Sequence, residues 1–284
     1  MPDPSKEITF ATNLSYMSHF QDQVIVVTGG SDGIGKALVE VFLKEGAKVA
    51  TCGRQTDKLA LLQKEFPQLP LHVFQADVSV ETDCAAFIQS TIEAFGTIHV
   101  LINNAGISMR SLFQDALPAT LKKVMDINYM GVVYCTHYAL PHVLKNRGSI
   151  VGISSIAGFR GLPGRTGYSA SKFALNGWLE ALRTELLDSG VHVLTACPGF
   201  TTSNIRMAAL DSKGEARGET SMDEGAMMSS ATCALHILRA IRHRKRMLIL
   251  TFNGKRTVIL NKWFPALADR LVRNFFYKNG HLVK

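Results

Sequence analysis

The sequence predicts an α/β fold, a doubly wound parallel sheet in a single domain with a C-terminal extension, and three observations carry that expectation. Short apolar, β-branched runs alternate with amphipathic segments of helix length, as strands covered on both faces require. The first such run opens into a glycine-rich turn followed at once by a helix-like segment. The composition, 46% hydrophobic and 19% charged over 284 residues, suits a sizeable buried core and excludes a disordered chain.

Strands are expected at 24–28, 48–52, 71–76, 100–103, 149–154 and 191–196, with a seventh near 247–252. Helices are expected at 35–45, 57–66 and 81–95, as a pair over 117–145, and at 168–188 and 223–242. No repeat or low-complexity linker divides the chain. Residues 1–22 hold no apolar run typical of a secretory signal, and no stretch approaches the ~20 apolar residues of a spanning helix. The expectation is a cytoplasmic protein, with a peripheral position at a membrane surface left open by the tail. Cys52, Cys84, Cys135, Cys197 and Cys233 lack CxxC spacing and read as small buried hydrophobes. His72, His142, His192 and His236 make no metal-ligand spacing and read as surface or helix-end residues, so no metal is expected.

The net charge of +8 is unevenly placed: from Arg239 onward twelve Lys and Arg face Asp269 alone, leaving the preceding residues three charges negative. A basic tail on a mildly acidic body, without a recognisable motif, speaks against a nucleic-acid module.

After the first strand comes Thr28-Gly29-Gly30-Ser31-Asp32-Gly33-Ile34-Gly35. Glycines let a backbone turn sharply and approach a pyrophosphate, which a helix N-terminus then holds with its unpaired N–H groups and dipole. The position of the turn makes Thr28, Gly29, Ser31, Asp32, Gly33, Ile34 and Gly35 candidates for binding a dinucleotide. An acid at the end of the second strand would bind a ribose hydroxyl, but Gly53-Arg54 stands there. A guanidinium pairs with a 2′-phosphate, so NADP(H) is the expected cofactor, with Ser31 a second ligand to that phosphate. Asp77 and Val78 follow the third strand, where they would meet the adenine; Asp77 reads equally as the cap of the next helix.

Further markers follow in order: NNAG at Asn103 to Gly106, Asn128, Ser154-Ser155, Tyr168 with Lys172, and Pro198-Gly199. With the glycine turn they resemble the short-chain dehydrogenase/reductase family, whose fold is Rossmann-like, over about 24–204. The chemistry stands on its own terms: a hydride reaching a carbonyl carbon leaves negative charge on oxygen, which needs a proton donor and a hydrogen-bonding neighbour. Tyr168 is the candidate acid, and Lys172, one helical turn on, the cation that would stabilise its phenolate and reach the nicotinamide ribose. Ser155 would bind the substrate oxygen, with Ser154 its competitor; the resemblance selects Ser155. It also implies that Asn128 kinks a central helix and holds a water beside Lys172; otherwise Asn128 is a helix amide bonded to backbone. Asn104, Ala105 and Gly106 would brace the ribose side, and Pro198, Gly199 and Thr201 the nicotinamide.

The organisation is then an N-terminal extension (1–22), an NADP-binding catalytic domain (23–252) and a basic amphipathic tail (253–284). Residues 202–223 read as a lid, and Met109, Arg110, Phe159 and Arg160 as pocket walls. In the tail, Trp263, Phe264, Leu267, Leu271 and Phe275 alternate with Lys262, Arg270 and Arg273. Such a segment lies on an anionic membrane, docks on the body, or meets a sister subunit in a dimer or tetramer. The expected reaction is hydride transfer between NADP(H) and a hydrophobic ketone or secondary alcohol, with a 3-ketosphinganine, a steroid or a 3-oxoacyl group as candidates. The competing reading is a non-catalytic NADP(H)-binding regulator.

Overall fold

The computed structural model describes residues 19–218 and 227–283. Seven parallel strands, β1 (Val24–Thr28), β2 (Lys48–Gly53), β3 (Leu71–Gln75), β4 (Val100–Asn103), β5 (Ser149–Ile153), β6 (His192–Cys197) and β7 (Met247–Ile249), lie in the order β3-β2-β1-β4-β5-β6-β7. The order reverses between β1 and β4, opening a crevice beyond their carboxyl ends where such sheets bind ligands. Helices α1 (Gly33–Lys44), α2 (Thr56–Glu65), α3 (Glu81–Phe95), α4 (Pro118–Met125), α5 (Gly131–Lys145), α6 (Thr166–Glu185) and α7 (Ser230–Arg242) cover both faces. Ile25 and Val27 join the core formed with α1 and α7, and Val26 the core formed with α3, α5 and α6. Burial on both faces is why β1 reads as an unbroken apolar run.

The departures from the expected elements have local causes. Residues 19–22 belong to the body, because Phe20 is 1% exposed and meets the Phe42 ring edge-on at 5.0 Å. Residues 1–18 lie outside the described residues, as do 219–226, which take the end of the expected lid and the start of the expected last helix. The pair over 117–145 is one continuous run, with a widened π-type turn at Asp126–Met130 joining α4 to α5. His192 is neither surface nor helix end: it is buried in β6, its ring between Ser149 Oγ at 3.1 Å and the Lys245 carbonyl at 2.8 Å. All five cysteines are buried.

The seventh strand stops early because Thr251, at φ 65°, caps a new helix through its hydroxyl. That helix, α8 (Phe252–Trp263), turns into α9 (Pro265–Phe276) and a short hairpin of β8 (Tyr277–Lys278) with β9 (His281–Leu282). The tail docks on the body, as one of the three expectations had it. Arg160 donates to Asn261 Oδ1 at 3.0 Å and pairs with Asp269 at 2.5 Å, while Asn261 donates to the Phe159 carbonyl at 2.9 Å. Phe159 and Arg160 therefore anchor the tail rather than wall a pocket. Met109 is fully buried core, and Arg110 lies off the cavity. Among the described residues no helix is long and apolar enough to cross a membrane.

Candidate active site

A single cavity of about 780 Å³ runs from the glycine turn, across the ends of β4 and β5, to the inner side of α8 and α9. Its first end is built by Gly29, Ser31, Asp32, Gly33, Ile34 and Gly35. Gly29 has φ +70°, which only glycine adopts without strain. A side chain at Gly35 would collide with the Gly29 carbonyl and the Asn104 amide, so the helix start is pressed against the turn.

Thr28 and Asn104 hold that turn to β4. The Thr28 hydroxyl accepts from Asn104 N and Ala105 N, each at 3.0 Å, and Asn104 Nδ2 donates to the Thr28 and Gly29 carbonyls at 2.9 and 3.2 Å. Thr28 is thus a brace behind the cavity and not a lining residue, and the Asn104 side chain is committed to backbone. Asp32 caps α1 and is clasped from two sides, by Lys58 at 2.9 Å and by Asn204 Nδ2 at 3.0 and 2.8 Å from its two oxygens. Burial pushes its carboxyl upward, yet the bonds from Asn204, Lys58 and the Gly33 amide outweigh that and hold it low. Asp32 therefore acts on its neighbours in the fold.

Arg54 is exposed at the edge of the cavity, which Lys58 also lines. Lys58 was not singled out by the sequence, because its partner Asp32 lies 26 residues away. Asp77 and Val78 line the cavity. The cap of α3 is Val80, so Asp77 is not that cap; its Oδ1 instead accepts from Ser79 N at 3.0 Å and Ser79 Oγ at 2.7 Å.

At the middle of the cavity Tyr168, Lys172 and Ser155 come together. Tyr168 lies in the first turn of α6, and Lys172 follows on the same face, with Nζ 5.8 Å from the Tyr168 ring centroid and donating to the Ile153 carbonyl at 2.9 Å. Ser155 caps the turn after β5, accepting from Ala157 N at 3.1 Å, and lines the cavity with the Tyr168 phenol. Ser154 is committed elsewhere, donating to Asn176 Oδ1 at 2.5 Å. Burial pushes the Tyr168 phenol above its ordinary value, against the opposing pull of Ser155 and of the Arg165 guanidinium. Burial likewise brings Lys172 down to about 8. The Arg165 guanidinium, which the sequence pattern does not mark, also draws the phenol down.

Asn128 sits in the π-type turn, fully buried and behind the cavity. Its amide pairs with the Ile107 backbone, accepting from N at 2.8 Å and donating to O at 2.9 Å, and it donates to Ser171 Oγ at 3.0 Å. The widened turn at Asn128 is the kink in the central helix that was expected there, and the Asn128 amide is bonded to backbone. Pro198, Gly199 and Thr201, with Ala105 and Gly106, complete the wall. Glycine turn, switch-point crevice and a Ser, Tyr and Lys group on one cavity define a dinucleotide-type oxidoreductase fold and site.

Comparison with known proteins agrees. The family described as short chain dehydrogenase matches residues 23–214, and this chain belongs to that family. Dehydrogenase/reductase SDR family member 7B of Mus musculus is 33% identical over 263 residues, spanning 90% of this chain and 81% of that protein. The 11-beta-hydroxysteroid dehydrogenase-like 2 of Arabidopsis thaliana is 37% identical over 194 residues, 66% of this chain and 63% of that one. A short chain dehydrogenase/reductase from Burkholderia phymatum, solved in complex with NAD, superposes with a TM-score of 0.77 at 23% identity, covering 87% of this chain and 95% of that one. A short-chain dehydrogenase from Streptomyces avermitilis gives 0.77 at 24%, over 90% and 100%.

Proposed function

We propose that the chain transfers hydride between NADP(H) and a hydrophobic ketone or secondary alcohol. The observation that carries this is that the Tyr168 phenol, Ser155 and Lys172, one helical turn from Tyr168, line the same cavity as the glycine turn. The residues present fit a nicotinamide dinucleotide: the start of α1 is pressed close enough to the turn that a side chain at Gly35 would fill the cradle. Gly29, Gly33 and Gly35 would hold the pyrophosphate, Arg54 with Ser31 and Lys58 a 2′-phosphate, Asp77 and Val78 the adenine, and Pro198, Gly199 and Thr201 the nicotinamide. When bound, that group supplies or accepts the hydride.

The chain supplies the rest. In reduction the Tyr168 O–H bond breaks and its proton passes to the carbonyl oxygen while Ser155 donates to the same oxygen. The raised phenol pKa keeps that proton in place near neutrality, the state a reduction starts from. Lys172 assists as the phenolate forms. In this reading 23–252 is the catalytic unit and 253–284 the roof over its substrate end. Phe252, Trp263 and Phe264 stay exposed on the outer side, which supports contact with an anionic membrane there.

The test is NADPH oxidation against long-chain ketones, steroids and 3-oxoacyl thioesters, in wild type and Tyr168→Phe. Turnover should fall by at least about a hundredfold in the variant, with NADPH affinity kept. Tight NADPH binding without turnover favours the regulatory reading. Tighter NADH than NADPH binding, or no change in that preference in Arg54→Glu, overturns the choice of cofactor.

A further inference from the structure

The segment that follows β6 forms a strap along the cavity, tied down at both ends. At one end Thr202 N donates to the Met228 carbonyl at 2.9 Å and Met228 N to the Phe200 carbonyl at 3.2 Å. At the other, Leu210 N donates to the Ser108 carbonyl at 2.9 Å and Arg110 N to the Leu210 carbonyl at 2.8 Å. Between these ties Ser203, Asn204, Ile205 and Ala208 line the same cavity as the glycine turn.

Two contacts carry the middle of the strap across to that turn. Ser203 lies so close to Gly33 that a Cβ added to the glycine would stand 3.1 Å from the Ser203 Cβ. Asn204 Nδ2 reaches both Asp32 oxygens, at 3.0 and 2.8 Å. An ionised carboxylate only accepts, so the side-chain amide is a fitting donor, and Lys58 at 2.9 Å and Gly33 N at 2.7 Å hold Asp32 in that form. The strap folds a turn of its own here, with Ala208 N donating to the Asn204 carbonyl at 2.9 Å. Every partner in this contact belongs to the chain, so the contact closes over a filled cleft as it does over an empty one. Asn204 is exposed and Asp32 partly so. Water therefore competes for both, and the contact biases the strap toward closure without locking it.

We propose that Asn204 is a latch: its bond to Asp32 holds the strap against the glycine turn, and its breaking sets how fast a dinucleotide enters and leaves. This rests on the reductase reading in placing a dinucleotide beneath the strap. Asn204 acts through Asp32 and the strap and not on the reacting atoms, so it is a positioning residue. With both ends tied, the middle of the strap need only lift.

The experiment compares wild type, Asn204→Ala and Asn204→Asp. Stopped-flow fluorescence gives the rates of NADPH entry and exit, and mass spectrometry gives backbone hydrogen exchange over 203–209 in the cofactor-free protein. Losing a hydrogen bond to a charged group at an exposed site shifts a local equilibrium roughly tenfold. Exchange over 203–209, entry and exit should therefore each rise about tenfold in Asn204→Ala, with NADPH affinity unchanged. Asn204→Asp, which sets a second carboxylate beside Asp32, should raise all three further. Faster exit with unchanged entry makes Asn204 an ordinary cofactor contact and overturns the proposal. Unchanged entry and exit overturn it too, whether or not exchange over 203–209 rises, and so does a rise in exchange spread equally over the strands, which marks general loosening. Rates and exchange that shift as expected in a protein that turns over no ketone leave the latch standing and overturn the reductase reading alone. Ketone turnover with unchanged entry and exit does the reverse, and a protein that binds neither NADPH nor NADH overturns both.

Discussion

Replacing Lys172 by methionine should make the cofactor-free protein more stable at neutral pH while removing its activity. Lys172 is 4% exposed, and burial brings it to about 8 from an ordinary 10.5. Each tenfold in proton affinity is about 1.4 kcal/mol, so keeping the ammonium in this site costs the fold about 3 kcal/mol at neutral pH. Methionine fills similar space without charge but gives up the bond to the Ile153 carbonyl, worth about 1 kcal/mol. The expected gain is therefore about 2 kcal/mol. Its pH dependence has a definite sign. Below about 8 the native and unfolded lysines are both protonated and the penalty is constant. Between about 8 and 10.5 only the unfolded lysine holds its proton, so wild-type stability rises relative to the variant. Tyr168, raised in both proteins, drops out of the difference to first order. Urea unfolding of the two proteins near pH 7 and again near pH 10 measures it. A variant less stable than wild type near pH 7, or a gap that does not narrow at the higher pH, would refute the reasoning.

Two further substitutions probe how the site is held. Thr28→Val deprives two half-buried N–H groups of their acceptor at almost constant volume, and should cost about 2–4 kcal/mol in urea unfolding; Thr28→Ser should recover most of it, and a Thr28→Val loss below about 1 kcal/mol contradicts the bracing role. Asn261→Leu removes both of its bonds to the loop after β5, so limited proteolysis should cut the 253–284 segment faster while the unfolding midpoint of the body moves little; unchanged protection of that segment would show that the roof does not depend on Asn261.

The sheet was legible because each strand is short, β-branched and apolar throughout, and the helices because their apolar positions recur at helical spacing. The glycine turn and the Tyr168–Lys172 pair were legible because their chemistry depends on residue type at short spacing, whereas the choice of Ser155 over Ser154 needed the family resemblance. What pairs across the fold was not. Asn204 reaches Asp32 from 172 residues away, and nothing in either neighbourhood announces the contact. The tail advertised an amphipathic face but not the surface it would cover, since that choice depends on Arg160 and Phe159 being presented at the right height. Arg165 carried no signal, because an arginine ahead of a helix is ordinary until a cavity is seen to open beside it.

The five cysteines, described above only as buried, give this protein a set of internal clocks. They are distributed over β2, α3, α5, the end of β6 and α7, and burial pushes Cys52, Cys197 and Cys233 up to about 12. A thiol so placed reacts with an aqueous alkylating reagent only when its own layer opens. The labelling rate of each cysteine, read by mass spectrometry under native conditions, is then the opening frequency of that layer. The order in which the five are modified would rank the two helical faces and the sheet by local stability without any engineered probe.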